Sequence, residues 1–447
     1  MTAELQFQGL DISALAARFG TPLYVYDGVK LRERITELRE LMHPRLEFFF
    51  SLKSNPNVSV CALLHAHGAK AEVSSLAELL TARKAGVQPQ DIIFLGPGKS
   101  RAELVECVRS GIYAVICESL SELRLIDEVA GELGRTAPVA LRVNPSFETK
   151  GSGLTMGGKP RQFGIDEAQL LAEAPLGKEL HHIRLMGVQA YMGTRILSES
   201  TVIENTGQIL AVARRIAEHH EFALDMVDIG GGLGVAYFPG ERDLDLPSLA
   251  RGLNPVLDGF ARIHPRTRLI MELGRYLVAE SGTYATRVRY TKTSLGENFA
   301  VVDGGTNHHM AAVGIGSFVK RNFPIRLLNR YDEEATETWN ITGPLCTPND
   351  TLGKKVSLPP VREGDLVGIL RSGAYGASAS PVLFLSHGHP AEVLVDEGRA
   401  YLVRERDSTE DLLRKQRLYS THVADSPVPP NEHIETLTTA TKGSPSA

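Results

Sequence analysis

Between residues 46 and 274 the chain alternates short apolar runs with amphipathic helical patterns, and that alternation leaves few folds open. Strands are predicted at 46–53, 69–74, 91–96, 113–118, 139–144, 185–191, 226–231 and 269–274, with helical patterns between them such as 75–85, 100–110 and 119–133. The last of these helices opens on a capping-box signal, Ser119 with Glu122 three residues on, and stops before Gly134. Eight runs, apolar on both faces and each followed by a helix over about 230 residues, is the count of a (β/α)8 TIM barrel. A doubly wound sheet would need fewer units or a switch in strand order, so the barrel is preferred.

The flanks read differently. Residues 12–19 are helical, 22–27 form a strand, and 30–42 form an amphipathic helix with Leu31, Ile35, Leu38 and Leu41 on one face. After Arg275 short strands separated by turn residues (281–292, 298–303, 339–343, 365–370, 391–395) indicate a C-terminal all-β domain. The expected division is an N-terminal segment 1–27 that packs with the β domain, a barrel over 28–280, the β domain over 281–405, and a partly disordered tail over 406–447.

Composition excludes several classes. A chain of 447 residues with 43% hydrophobic and 23% charged residues is that of a soluble two-domain protein. A net charge of -5 gives no footprint for nucleic acid or an anionic membrane. The first residues lack a signal-peptide pattern, and no apolar run approaches the roughly 20 residues of a membrane span. Four widely spaced cysteines (Cys61, Cys107, Cys117, Cys346) without a C-x-x-C pair argue against a disulfide framework or a structural zinc, and suit the cytoplasm; no metal is expected.

In a barrel, chemistry collects where the strands end. The first strand delivers Lys53, followed by Asn55-Pro56; the sixth delivers Gln189 to Thr194; the seventh Asp228 and a glycine run to Gly234; the eighth Glu272, Gly274 and Arg275. The glycine run could be a loop needing positive φ, a dinucleotide fingerprint or a phosphate cradle. Its spacing does not match G-x-G-x-x-G and it follows the seventh strand, which favours the cradle. Glu272 could simply pair with Arg275, and Tyr191 could be a core tyrosine or stack on a ring. Together, a lysine for a Schiff base, a cradle for a phosphate and a carboxylate for a pyridine nitrogen are the three needs of pyridoxal 5'-phosphate.

These residues resemble those of the fold type III pyridoxal-phosphate decarboxylases, the diaminopimelate and ornithine decarboxylase family. The resemblance covers about residues 21–404. It rests on Ser51-Leu52-Lys53-Ser54-Asn55, Glu72-Val73-Ser74-Ser75 with Glu78-Leu79, Arg161-Gln162-Phe163-Gly164, the Asp228 glycine run, Glu272 with Gly274-Arg275, Cys346 with Asp350, and Gly373-Ala374-Tyr375-Gly376. It implies an alanine racemase-like barrel and a homodimer with shared active sites. Lys53 then resembles the Schiff-base lysine and Glu272 the pyridine-nitrogen partner. Gly231, Gly232, Gly274 and Arg275 match phosphate-binding positions, with Thr194 where the family usually has serine. Tyr375 resembles the tyrosine that reaches the phosphate, and Cys346 the cysteine that protonates the product from the other subunit. Arg161, Thr347 and Asp350 fall at substrate positions.

The departures bear on the substrate. Tyr191 replaces the stacking histidine, and Thr347 replaces the glutamate that follows the cysteine in diaminopimelate decarboxylases. The Arg-Pro segment expected after Asp303 is Gly304-Gly305-Thr306-Asn307-His308-His309, with both histidines expected in a solvated loop. The Asn-Tyr-Asn run after Tyr375 has become 378–384, Ser-Ala-Ser-Pro-Val-Leu-Phe. A site without those polar groups would leave a second ammonium–carboxylate pair unsatisfied. The variants resemble a secondary-metabolism branch acting on glutamate tethered to an acyl carrier protein, as in butirosin side-chain biosynthesis. The expected activity is therefore α-decarboxylation of a carrier-bound or otherwise derivatised amino acid. Alternatives are a decarboxylase of free diaminopimelate, ornithine, lysine or a siderophore precursor and, from another class, an amino-acid racemase.

Overall fold

A computed structural model describes residues 3–148, 154–313 and 321–418. Eight parallel strands close into a barrel: β1 (Leu46–Ser51), β2 (Lys70–Val73), β3 (Ile92–Phe94), β4 (Ala114–Cys117), β5 (Ala137–Asn144), β6 (Ile183–Gln189), β7 (Met226–Gly231) and β8 (Arg268–Leu273). Each pairs with the next, and β8 pairs with β1. The expected barrel is the observed one.

Because side chains alternate along a strand, each strand serves two cores. Phe48 and Phe50 face the surrounding helices, whereas Phe49, Ile93, Ile116, Ala140, Met186, Met226 and Ile270 fill the barrel interior. Toward the N-terminal mouth the inward positions become an ion network. Lys70 pairs with Glu47 and with Asp91 (2.7 Å), and Arg268 with Glu47 (2.7 Å) and Asp91 (3.0 Å). Toward the C-terminal mouth they become Glu72, Glu118, Arg142, Gln189, Asp228 and Glu272, all buried. Both ends of the interior are therefore polar, and the C-terminal mouth is the end at which barrels place their chemistry.

The outer helices are capped by local chemistry. Ser75, Ser100 and Ser119 each accept the N–H of the glutamate three residues on. At Ser100 the cap is reciprocal, since Glu103 accepts the Ser100 N–H at 2.9 Å. At Ser119 it is not: Glu122 turns inward, accepting the Glu118 N–H (2.8 Å) and binding Lys99 (2.7 Å).

The second sheet is built from β9 (Gly282–Ser294), β10 (Glu297–Val302), β11 (Ile325–Leu327), β12 (Glu337–Thr342), β13 (Thr351–Leu358), β14 (Leu366–Ile369), β15 (Ala391–Asp396) and β16 (Arg399–Arg404). Its order is β13-β12-β10-β9, then the N-terminal strand Leu23–Asp27, then β15-β16; β14 pairs with β9 and β11. The N-terminal strand is antiparallel to β9 and parallel to β15. The helix Ile12–Phe19 packs beneath it, with Ile12 and Leu15 joining Leu23, Val25, Val393 and Val395 in a separate core.

His308 and His309, expected in solvent, are buried in this domain. His308 joins Tyr284 Oη (3.1 Å) and the Gly388 carbonyl (2.9 Å), and His309 joins Ser372 Oγ (2.8 Å). The polar sequence around them fills a gap between strands instead of forming a surface loop. Residues 408–418 are a separate unit with a short helix, Thr409–Leu413, capped by Ser408 and Asp411. The rest of the expected tail lies outside the described residues. No described helix is long and apolar enough to cross a membrane.

Candidate active site

The predicted first strand extends to Lys53, but β1 ends at Ser51 and a single 3-10 turn, Leu52–Ser54, carries the lysine. The cause is local. Proline at 56 disfavours the helical region for Asn55, which is extended (φ -161°), while its N–H closes the turn on Leu52 O at 2.9 Å. The turn is fastened to the β domain, because Tyr375 N–H donates to Ser54 O (2.7 Å) and Asn55 Nδ2 to Gly373 O (3.0 Å).

The turn aims Lys53 into a cavity of about 620 Å³ at the C-terminal mouth. Its Nζ lies 3.4 Å from Glu72 Oε2 and 6.0 Å from the centre of the Tyr191 ring. Burial opposes its charge, but Glu72, then Glu272, outweigh that and hold the ammonium above the usual lysine range. Burial pushes the Tyr191 phenol up to about 12, against the pull of Lys53.

Beside this cavity is a small recess bounded by Ser51, Thr194, Gly232, Gly274, Arg275 and Tyr375. Its floor requires glycine. A Cβ on Gly231 would overlap the Glu272 carbonyl oxygen, and one on Gly232 (φ +89°) the Gly193 carbonyl. The Arg275 guanidinium lies 4.6 Å from the centre of the Tyr375 ring and donates to Tyr237 Oη at 3.0 Å. Its Nε is buried without a partner in the protein. A buried guanidinium N–H left open at a glycine-floored recess is what a phosphate dianion would fill.

Glu272 closes the far side. Its Oε1 accepts Gln189 Nε2 at 3.0 Å, and burial, then the charge of Glu72, raise its pKa. The opposite wall is held by a buried chain of ion pairs. Arg142 bonds Glu118 (3.0 Å) and lies 4.7 Å from the Phe163 ring centre; Lys99 bonds Glu122 (2.7 Å) and the carbonyls of Gly96 and Ile116.

The structure thus brings together Lys53, Tyr191, Thr194, Gly232, Glu272, Gly274, Arg275 and Tyr375, with Gly231 beneath them. It does not bring Arg161, Cys346, Thr347 or Asp350 to the cavity of the same chain. Cys346 is exposed. Asp350 is buried and its carboxylate oxygens accept the N–H groups of Thr306 and Leu345, each at 2.7 Å, so it shapes the loop that carries Cys346. Sequence reasoning assigned no role to Glu72, Lys99, Glu118, Arg142, Gln189 or Asp228. For Glu118, Gln189 and Asp228 the available signal was a polar residue at or near the end of an otherwise apolar run; Glu72 follows the inward Lys70, and Lys99 lies in the loop after its strand.

A lysine, a phosphate recess and a buried carboxylate at the mouth of one barrel define a pyridoxal-phosphate site, and the residues fit that group. The pyridoxal binding domain of the pyridoxal-dependent decarboxylases matches residues 29–279. The chain belongs to this family of amino-acid decarboxylases. It is 40% identical over 91% of its length to L-glutamyl-[BtrI acyl-carrier protein] decarboxylase of Niallia circulans, covering 96% of that protein. It is 30% identical to diaminopimelate decarboxylase of Aquifex aeolicus, over 91% of this chain and 94% of that one. The structure of diaminopimelate decarboxylase from Helicobacter pylori complexed with L-lysine superposes with a TM-score of 0.81 at 28% identity, over 90% of this chain and 98% of that one.

Proposed function

We propose that this enzyme removes the α-carboxylate from an amino acid tethered to a carrier protein, with a glutamyl thioester as the first candidate. The observation that carries this reading is the state of the cavity wall away from Lys53. Its cations are already committed, Arg142 to Glu118 and Lys99 to Glu122, and Glu103 caps a helix through Ser100. Leu95, Pro97, Met156 and Phe163 supply the remaining surface. A free diamino acid brings a second ammonium, and diaminopimelate a second carboxylate as well, that this wall would leave unpaired, whereas a thioester arm brings neither. The resemblance to a glutamyl-carrier decarboxylase supports the same choice.

Pyridoxal phosphate, when bound, supplies an aldehyde for the amine and a ring that accepts the electron pair left as carbon dioxide departs. In this reading Lys53 would hold it, Arg275 and the glycine floor would receive its phosphate, Tyr191 would line the ring's side of the cavity, and Glu272 would favour a proton on its nitrogen. Glu72 Oε2, 3.4 Å from Lys53 Nζ, anchors the lysine ammonium at the cavity before the cofactor arrives. The enzyme works as a homodimer in the cytoplasm, with Cys346 of the partner subunit returning a proton to the product and Thr347 of the partner subunit leaving that wall uncharged.

The test is carbon dioxide release and product mass with glutamyl-carrier protein, and separately with free glutamate, ornithine, lysine and diaminopimelate. Loss of one carbon dioxide from the carrier-bound substrate alone is expected. Turnover of a free diamino acid instead would overturn the carrier assignment, and deuterium exchange at Cα without carbon dioxide release would point to a racemase.

A further inference from the structure

The polar layer at the barrel's C-terminal mouth contains more acid than base. Glu72, Glu118, Asp228 and Glu272 are all buried there, facing Lys53 and Arg142. Arg142 is bonded to Glu118, and Lys53 lies against Glu72. That leaves Asp228 and Glu272, on adjacent strands, with no cation bonded to either.

Hydrogen-bond accounting locates the problem more closely. Asp228 on β7 is the register partner of Gln189 on β6, and Gln189 reaches past it to donate to Glu272 on β8. Asp228 is fully buried; its Oδ1 accepts the Gly230 N–H at 2.8 Å. Asp228 Oδ2 and Gln189 Oε1 are both buried with no donor. An ionised Asp228 would therefore leave acceptors facing acceptors around Glu272, with Gln189 Nε2 the side-chain donor among them. One added proton on Asp228 makes its Oδ2 a donor toward Glu272 and removes that opposition, leaving Gln189 Oε1 as the one acceptor of the three side chains still without a donor.

We propose that Asp228 is a neutral carboxylic acid at physiological pH and donates its proton as a hydrogen bond to Glu272, keeping Glu272 ionised and fixed in direction. Asp228 is thus a positioning residue for the carboxylate that meets the ring nitrogen; this functional half rests on the reading of Glu272 given above. Electrostatics agree. Burial, then the charge of Glu272, drive Asp228 well above the carboxylate range, with Glu72 adding to it. The bond from Asp228 and the charges of Lys53 and Arg142 act in the other direction on Glu272. Of two carboxyls competing for one proton, the one nearer the cations ionises.

The proton can be observed without the cofactor. Infrared spectra of the apoprotein at neutral pH should contain a protonated-carboxyl C=O band that shifts in D2O. It should also shift when aspartate carboxyls are labelled with carbon-13, and disappear in Asp228→Asn. Absence of an aspartate band in the wild-type protein, or its survival in Asp228→Asn, overturns the assignment, and the labelled wild type reports even if a variant misfolds. In the holoenzyme Asp228→Asn, whose amide donates to Glu272 in the same way, should keep turnover within about threefold. Asp228→Ala should weaken pyridoxal phosphate binding or turnover by about tenfold or more. Equal losses in both variants overturn the positioning role. Because the infrared arm involves no substrate, its outcome is independent of whether carrier-bound glutamate is decarboxylated.

Discussion

Replacing Lys99 with methionine isolates the ion-pair chain that builds the cavity wall. The Lys99 side chain is 1% exposed, and its Nζ donates to Glu122 Oε1 (2.7 Å), Gly96 O (2.8 Å) and Ile116 O (2.6 Å), so all three of its N–H groups are engaged. Methionine keeps the length of the side chain and removes the charge. Glu122, 9% exposed, then keeps only the Glu118 N–H on its other oxygen. Removing one partner of a buried pair costs about 3–5 kcal/mol, mostly through the charge left behind. Removing that charge as well, in Lys99→Met with Glu122→Gln, should recover about 1–3 kcal/mol, the usual coupling between contacting groups. Equilibrium urea unfolding of the wild type, both single variants and the double variant gives the cycle. A single-variant loss below about 1 kcal/mol, or additive losses, would refute the claim that this lysine is held by a buried charge pair.

Other expectations follow from the same geometry. Lys53→Ala should abolish turnover and the absorbance of lysine-linked pyridoxal phosphate; an unchanged spectrum would remove Lys53 from the chemistry. Tyr237→Phe removes the hydroxyl that orients Arg275 and should raise the cofactor dissociation constant by about tenfold in a fluorescence titration, with the fold retained. Gly232→Ala places a methyl group against the Gly193 carbonyl and should impair cofactor binding more than thermal stability, so intact affinity would count against the phosphate recess. Burial lowers His308 to about 4 and His309 to about 3. An unfolded histidine titrates near 6.5, so between about pH 6.5 and 4 the unfolded chain binds protons the native state refuses. Stability is intact above that window and falls as pH drops through it, by about 1.4 kcal/mol per pH unit for each histidine. His309→Asn should reduce that slope, measured by urea unfolding across the window.

The barrel was legible because strands buried on both faces are mostly apolar along their length, as in Ile92–Phe94 and Ala114–Cys117. Edge and near-edge strands carry no such mark. Thr351–Leu358 contains two lysines and Arg399–Arg404 leaves Arg399, Tyr401 and Leu402 in solvent, and neither was anticipated. The end of β1 was misplaced by two residues because Asn55-Pro56 acts backward through a turn that hydrophobicity does not report. In the candidate site, Lys53, Glu272 and the glycines stand out as exceptions within apolar or turn sequence. Glu118, Arg142 and Lys99 do not, since their partners come from different strands and only closure of the barrel makes them neighbours. Asp228 was visible at its strand end, but the lack of a donor to its Oδ2 is a property of three strands together.

The place of Leu23–Asp27 in the second sheet bears on how the molecule is made. This segment precedes its partner in β15 by roughly 370 residues of synthesis, which is tens of seconds at ordinary rates of elongation. In the interval the barrel can close and β9 can cover one edge of the strand, while the edge that β15 will cover stays open, a state that favours chaperone capture or aggregation. Tyr375, whose backbone secures the turn bearing Lys53, also arrives late. The turn that bears Lys53 is therefore secured only once the segment around Gly373 and Tyr375 has been made, so the cofactor pocket cannot be finished by the barrel alone.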